Sequence, residues 1–272
     1  AQTFEVGVRG LIDDDIQWNL SAYQTNIKDD LYLVSFFGGQ NFFDSIGKTR
    51  RQGIEAGLSG QKGKWGFSVN YSLTDATFED HFTTGGHDNS SSYEGFSGNR
   101  NYSRLIDVEP GATMPGVPLH NLNATVSYQL TPKWNVGLTA IAHSSSYVRG
   151  NENNKHREGV VVYETTDQAG KAVTVARKPT NNRGTIPGYM TFNLQSNYQL
   201  TKNFSVNLLV NNIFDKEYFS AGALGRNPFS PSTYGAVGPN DYNHNSLEWN
   251  STNFVAPGAP RAAWVSVRWL FD

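Results

Sequence analysis

Apolar and polar residues alternate with a period of two along most of this chain. Between His120 and Leu130, Leu122, Ala124, Val126, Tyr128 and Leu130 fall on one face, and Asn121, Asn123, Thr125, Ser127 and Gln129 fall on the other. Successive side chains of a strand point to opposite sides, so this is a strand with one apolar and one polar face. Segment 65–74 sets Trp65, Phe67, Val69, Tyr71 and Leu73 against Gly66, Ser68, Asn70, Ser72 and Thr74. Segment 189–200 sets Met190, Phe192, Leu194, Tyr198 and Leu200 against Thr191, Asn193, Gln195, Asn197 and Gln199. Phe204, Val206, Leu208 and Val210 share one side of the next such segment. In the last, Val265, Val267, Trp269 and Phe271 stand opposite Ser266 and Arg268. Fainter versions start at Phe4, Ile16, Ile54 and Trp134. The pattern predicts nine strands, each of the roughly 9–11 residues that cross a bilayer when tilted.

The connections predict how these strands are joined. Short ones fall at 13–15, 61–64, 131–133 and 201–203. Long ones run from about 79 to 117, 149 to 186 and 214 to 260, with a smaller one near Phe37 to Phe43. Strict alternation of short turns and long loops is the habit of a transmembrane antiparallel up-and-down β-barrel, with periplasmic turns and extracellular loops. It places the C-terminus on the periplasmic side. A two-layer sandwich would also alternate, but its apolar faces meet in a dry core and its long loops need not share one end. Here Trp65, Tyr128, Trp134, Tyr198, Phe204 and Trp269 stand on the apolar face beside the short turns, as an interfacial aromatic girdle does. Nine is odd, and single-chain bacterial barrels have even strand numbers. The expectation is therefore that residues 1–272 form one C-terminal barrel portion, a fragment or a truncated gene product whose remaining strands lie upstream. The start at Ala1, without a signal-peptide pattern, fits either a removed leader or a start inside a longer protein, and strand counting favours the second.

Composition narrows the field. A mean hydropathy of −0.50 and 17% charged residues would ordinarily suggest a soluble protein. No apolar run approaches the ~18–20 residues of a membrane helix, so any crossing is made by strands, whose hydropathy is diluted by alternation. With no cysteine, disulfides and thiolate metal sites are excluded. A net charge of −2 gives no nucleic-acid signature.

Several segments then resemble the C-terminal half of TonB-dependent receptors. Residues 46–55, Ile-Gly-Lys-Thr-Arg-Arg-Gln-Gly-Ile-Glu, are similar to one barrel strand of that family, and Tyr71-Ser72-Leu73-Thr74-Asp75-Ala76-Thr77-Phe78 to the next. Met114-Pro115-Gly116-Val117-Pro118-Leu119-His120 resembles the entry to a third. Ile186-Pro187-Gly188-Tyr189, Val210-Asn211-Asn212-Ile213-Phe214-Asp215-Lys216-Glu217-Tyr218 and Pro257-Gly258-Ala259-Pro260-Arg261 follow in the family's order. Each is weak alone; together, in order, they are specific. Phe271, where the family usually ends in an aromatic, is here followed by Asp272. The resemblance implies a bacterial outer-membrane barrel of 22 strands, closed by an N-terminal plug. It further implies a partner, the TonB–ExbB–ExbD energising complex, reached through a TonB box; plug and box are absent from this sequence. Outer-membrane lipids and an iron–siderophore or other metal chelate, such as ferric citrate, are the remaining implied partners. No resident cofactor or protein metal site is implied, because the metal arrives already chelated.

Parts of these motifs have a local physical reason. Pro118 and Pro187 precede strands, where a missing N–H breaks no ladder. Asn211 and Asn212 should mark a strand leaving the apolar layer. Arg50 and Arg51 should lie near the outer rim or face the lumen, since a lipid-facing Arg at the midplane costs ~2–4 kcal/mol.

The loops carry the chemistry. An anionic, aromatic chelate suits Arg forks and Tyr faces. Taken singly, each loop Arg or Tyr reads more simply as a solvated side chain. As a group, Arg100, Tyr102, Arg104, Tyr147 and Arg149 are the candidate ligand-binding residues, the last two at the outer end of the sixth strand. The six His show no metal-ligand spacing. Two other functions compete. A passive porin-like channel needs an inward loop with a charged ring. An outer-membrane enzyme needs a rim His with a carboxylate, for which His81 with Asp80 or Asp88 is the candidate; no hydrolase motif is present, and the reading is of a non-enzyme.

Overall fold

In the computed structural model, the described residues are 1–35, 41–86, 88–97, 100–159, 162–166, 171–176, 180–233, 235, 237–245 and 248–271. Nine strands form one sheet: β1 Gln2–Ile12, β2 Ile16–Ile27, β3 Thr49–Lys62, β4 Trp65–Phe78, β5 His120–Thr131, β6 Trp134–His143, β7 Tyr189–Gln199, β8 Phe204–Asn211 and β9 Ala262–Trp269. Each pairs antiparallel with its predecessor, so the order in space is the order in sequence. The alternating pattern fixes this register. Val126 stands opposite Phe67 and Leu138, and Thr125 opposite Ser68 and Thr139. A slip by one residue would turn every apolar side chain to the other face.

The short turns are tight. Gly63 and Lys64 alone separate Lys62 from its partner Trp65, and Gly63 supplies the φ of +60° that the reversal needs. Asp13 and Asp14 take φ of 53° and 56° in the first turn. The aromatic row beside these turns is a set of cross-strand pairs. Trp65 meets Tyr128 at 4.5 Å, Trp134 meets Tyr198 at 6.2 Å, and Phe204 meets Trp269 at 5.9 Å between ring centroids. Each pair joins neighbouring strands at one height, so the girdle also pins register.

Among the described residues, no protein layer covers the apolar face of the wall. Val6 is 73% exposed and Val265 69%. The polar face is a hydrogen-bonded surface. Thr125 Oγ1 bonds Thr139 Oγ1 at 2.9 Å, His143 Nδ1 bonds Asn121 Oδ1 at 2.6 Å, and Asn197 donates to Asn207. His143 therefore stands on the polar side, as its parity predicts. Ala124→Arg places a cation near mid-height on the apolar face, four residues from the girdle residue Tyr128, and should destabilise the bilayer-inserted protein by ~2–4 kcal/mol. Thr125→Arg, one residue away on the polar face, should have a much smaller effect. The folded fraction in lipid vesicles, read from heat-shifted gel migration, checks the pair; equal losses would mean the faces are misassigned.

The core lies at the long-loop end. Val34, Ile46, Ala76, Phe78, Val108 and Met114 are buried together, with Tyr32, Phe82, Ala112 and Val117 packed against them. Ala76 and Phe78 continue the row of Asn70 and Ser72 along β4. The loops after β2 and β4 thus fold onto the polar side of the wall. They are also more regular than alternation alone predicts. Residues 28–48 contain the hairpin Leu31–Ser35/Asn41–Ser45, which widens the small loop expected near Phe37 to Phe43. Phe82–Gly85, Tyr93–Ser97 and Arg100–Val108 form a three-stranded sheet. Val162–Thr166 pairs with Ala172–Ala176, and Phe219–Asn227 with Asn250–Pro257.

The motif residues sit where their chemistry requires. Asn212 takes φ of 48° just past β8, and its side chain donates to Lys216 O at 2.9 Å and Ala259 O at 3.1 Å. Arg50 pairs with Glu79 at 3.1 Å and Arg51 with Asp30 at 3.2 Å, both at the long-loop end.

Candidate functional site

The chain leaving β6 builds the site. Ser146–Tyr147 pairs with Thr185–Ile186, and Val148 is fully buried. Arg149 is then held between two loops: its N–H donates to Gly222 O at 3.0 Å, and its own carbonyl accepts from Leu224 N–H at 2.8 Å. Gly150 turns the chain with φ of +91°, where a Cβ would press Leu224 at 3.0 Å. The run Asn151-Glu152-Asn153-Asn154-Lys155-His156 follows.

This run binds every long loop directly or through its immediate neighbours. Toward the loop after β4, Asn89 Nδ2 donates to Gly150 O at 2.9 Å and Asn153 Oδ1 at 3.1 Å. Ser90 N–H donates to His156 Nδ1 at 3.0 Å, and Thr113 N–H to Asn154 Oδ1 at 2.6 Å. Within its own loop, Asn151 Nδ2 donates to Gly184 O at 3.1 Å. Toward the first loop, Arg149 Nη2 donates to Leu33 O at 2.6 Å while its guanidinium lies 5.8 Å from the Tyr32 ring centre. Tyr32 Oη donates to Glu152 Oε1 at 3.4 Å. The last loop joins through Arg149 and through Arg226, which faces Asp88 at 3.5 Å.

Glu152 is the electrostatic centre of this knot. Its carboxyl is buried, Oε1 accepts from Gly150 N–H at 3.0 Å, and Oε2 has no hydrogen-bond partner among the described residues. Burial pushes its pKa above the usual carboxylate range, against the opposing pull of the Gly150 amide and Arg149. Burial likewise holds the Tyr32 phenol neutral well above its ordinary value and pushes His156 down.

The sequence candidates divide. Tyr147 and Arg149 are adjacent to the knot. Tyr147 lines a cleft of about 420 Å³ at the rim, and Arg149 is engaged with Tyr32 and Leu33. The backbone of Arg100, Tyr102 and Arg104 runs in the strand Arg100–Val108, whose inner end carries buried Ile106 and Val108; those three side chains lie outside the described residues. His87 and Tyr234 lie outside them too. Exposed cations are nonetheless present at this end, at Lys155, Arg157 and Arg183. Among the described residues, His81 forms its ion pair with neither Asp80 nor Asp88. Its nearest carboxylate is Asp107 at 3.8 Å, while Asp80 contacts Lys48 and Asp88 faces Arg226, because the strand pairing brings 107 beside 83. Sequence reading missed Tyr32, Asn89 and Glu152. The one available signal was the amide-rich run 151–154 flanked by Arg149 and His156. On the wall below, Asn19, Glu55, Asn70, Asn123 and His143 line a second concavity of about 480 Å³ on the polar face.

A meander of bilayer-length strands, bare on its apolar face and capped on its polar side by interlocked loops, is the wall of a transmembrane β-barrel. A family model described as TonB dependent receptor-like, beta-barrel matches residues 1–213, and the chain belongs to that family. Members of the family are outer-membrane β-barrels. A curated relative, named Probable TonB-dependent siderophore receptor PiuA, from Acinetobacter baumannii, is 21% identical over 222 residues, which is 81% of this chain and 24% of that protein. The chain thus spans about a quarter of that relative's length. The crystal structure of the siderophore receptor PiuA from Acinetobacter baumannii superposes with a TM-score of 0.57 and 17% identity, over 98% of this chain and 28% of that one. The ferric yersiniabactin uptake receptor FyuA from Yersinia pestis gives 0.58 and 14%, over 99% and 30%. The ferric-catecholate import receptor Fiu from E. coli K12, in its closed form, gives 0.53 and 17%, over 97% and 26%. At these identities the likeness is one of fold.

Proposed function

We propose that this chain supplies part of the wall and four extracellular loops of an outer-membrane receptor that takes up a ferric chelate, a siderophore in preference to ferric citrate. The observation that carries the reading is the polar-side cap: loops joined to one another through residues 149–156 and seated over the polar wall form a gated mouth rather than an open one. Arg157, Arg183 and Lys155 give that mouth exposed positive charge for an anionic chelate, with Arg100, Tyr102, Arg104, Tyr147 and Arg149 as the further ligand-binding candidates. The names of the relatives, siderophore receptors and importers, support the substrate class. In this reading the short turns face the periplasm, an upstream plug and strands complete a 22-stranded barrel, and TonB with ExbB and ExbD drives release. The iron enters as cargo, so no resident cofactor is needed, and the protein transports without catalysing a reaction. A porin-like channel is disfavoured by the capping loops, whose described core is apolar where a porin's constriction is ringed with charge.

Growth decides the matter. The full-length gene, expressed in an iron-limited host lacking its own receptors, should restore growth on one or more ferric siderophores from a panel that also holds ferric citrate and cobalamin. Failure to bind any chelate and to restore growth on any would end the metal-uptake reading.

A further inference from the structure

The cleft beside Tyr147 has a different chemistry from the charged mouth. Seven of its lining residues carry hydroxyls: Thr74, Thr113, Ser144, Ser145, Ser146, Tyr147 and Thr185. Asp75, His120 and Tyr147 add a carboxylate and two flat rings, and no Lys or Arg is among its lining residues. An anionic chelate or a phosphate finds no counter-charge there and meets Asp75 instead. A neutral polyol finds groups that both donate and accept. The volume of about 420 Å³ suits a small ligand.

The position of the cleft matters as much as its lining. Asp75 and His120 continue the apolar rows of β4 and β5 that carry Leu73 and Leu122, so they line the cleft from the outward side of the wall, while Thr74 and Val117 close it from the polar side. Asp75 is the tenth residue beyond the girdle Trp65. At ~3.4 Å per residue and a tilt of ~40°, it stands about 26 Å above the girdle, at the far border of an apolar band ~25 Å tall. Nearby, Gln52 Nε2 donates to Asp75 Oδ2 at 3.1 Å and Tyr71 Oη bonds His120 Nδ1 at 2.8 Å. Polar, mutually bonded groups thus replace lipid-facing ones at head-group height.

We infer that this cleft holds a neutral sugar ring from the head group of a glycolipid in the surrounding leaflet. The inference rests on the membrane orientation proposed above, and its test is separate from the chelate growth test. The purified full-length receptor in detergent micelles is titrated calorimetrically with three probes: a lipopolysaccharide carrying neutral hexoses, the same glycolipid truncated before them, and the free deacylated oligosaccharide. The hexose-bearing glycolipid should bind about tenfold or more tighter than the truncated one, the worth of two or three net hydrogen bonds. Ser145→Trp, which fills the cleft from an exposed position, should erase the difference; should that variant fail to fold, Ser146→Val serves in its place. Equal affinity for both glycolipids, or a difference that survives the cleft substitutions, overturns the proposal. Binding of the free oligosaccharide as tightly as the glycolipid overturns the lipid source and leaves a soluble saccharide as the ligand.

Discussion

Phe78→Ala should release the extracellular loops while leaving the nine-stranded wall in place. Phe78 is fully buried, and its ring meets Tyr32 edge-on at 5.3 Å and Phe82 at 5.0 Å. Truncating a buried Phe typically costs ~3–5 kcal/mol, from lost transfer energy and the cavity left behind. The residues around it belong to the first two long loops and the outer end of β4, so the loss falls on loop docking rather than on the girdle end of the sheet. Opening of the loop unit should therefore rise on the order of a hundredfold or more. Limited proteolysis reads this directly: cleavage within 28–48 and 79–119 should accelerate while the strands stay protected. An unchanged digestion pattern would mean that the apolar cluster does not hold the cap.

Glu152 should make that cap sensitive to pH, and the sign follows from its burial. A carboxyl whose pKa is raised on docking holds its proton more tightly in the docked state. Its contribution is fully present below the ordinary carboxylate value of ~4.3 and is lost as pH rises through the raised value. His156 acts in the opposite sense. Its lowered pKa means its contribution is present above the ordinary ~6.5 and is lost as pH falls through the depressed value. The Tyr32 phenol stays neutral across the range. Glu152→Gln should therefore abolish the loosening toward alkaline pH and keep the loosening toward acid. Protease susceptibility of residues 144–188, compared with wild type from about pH 4 to about pH 9, tests this. A variant that still loosens on the alkaline side would remove Glu152 from the mechanism.

What could be read from the residues alone was the wall. Alternation at period two is a local property: each side chain declares its face within its own strand, and lipid and lumen select for opposite chemistries. Hence the nine strands, their order and the aromatic pairs at the short-turn end were all legible, down to the polar side chosen by His143. The binding residues were legible only as a population. Arg and Tyr in the loops announce a ligand's chemistry but not which of them are engaged elsewhere, as Arg149 is with Leu33 and Tyr32.

The cap was decided by tertiary structure. Tyr32 and Glu152 are 120 residues apart in the chain yet share a hydrogen bond, and Asn89 meets Asn153 across a gap of 64. Nothing in the local sequence marks such pairs, because an amide or carboxylate in a loop looks the same whether water or a partner satisfies it. Burial makes the difference. Once the apolar cluster brings the first two loops onto the polar side of the wall, unsatisfied groups become costly, and the amide-rich run 151–154 turns from a solvated stretch into the fastening that holds the loops together.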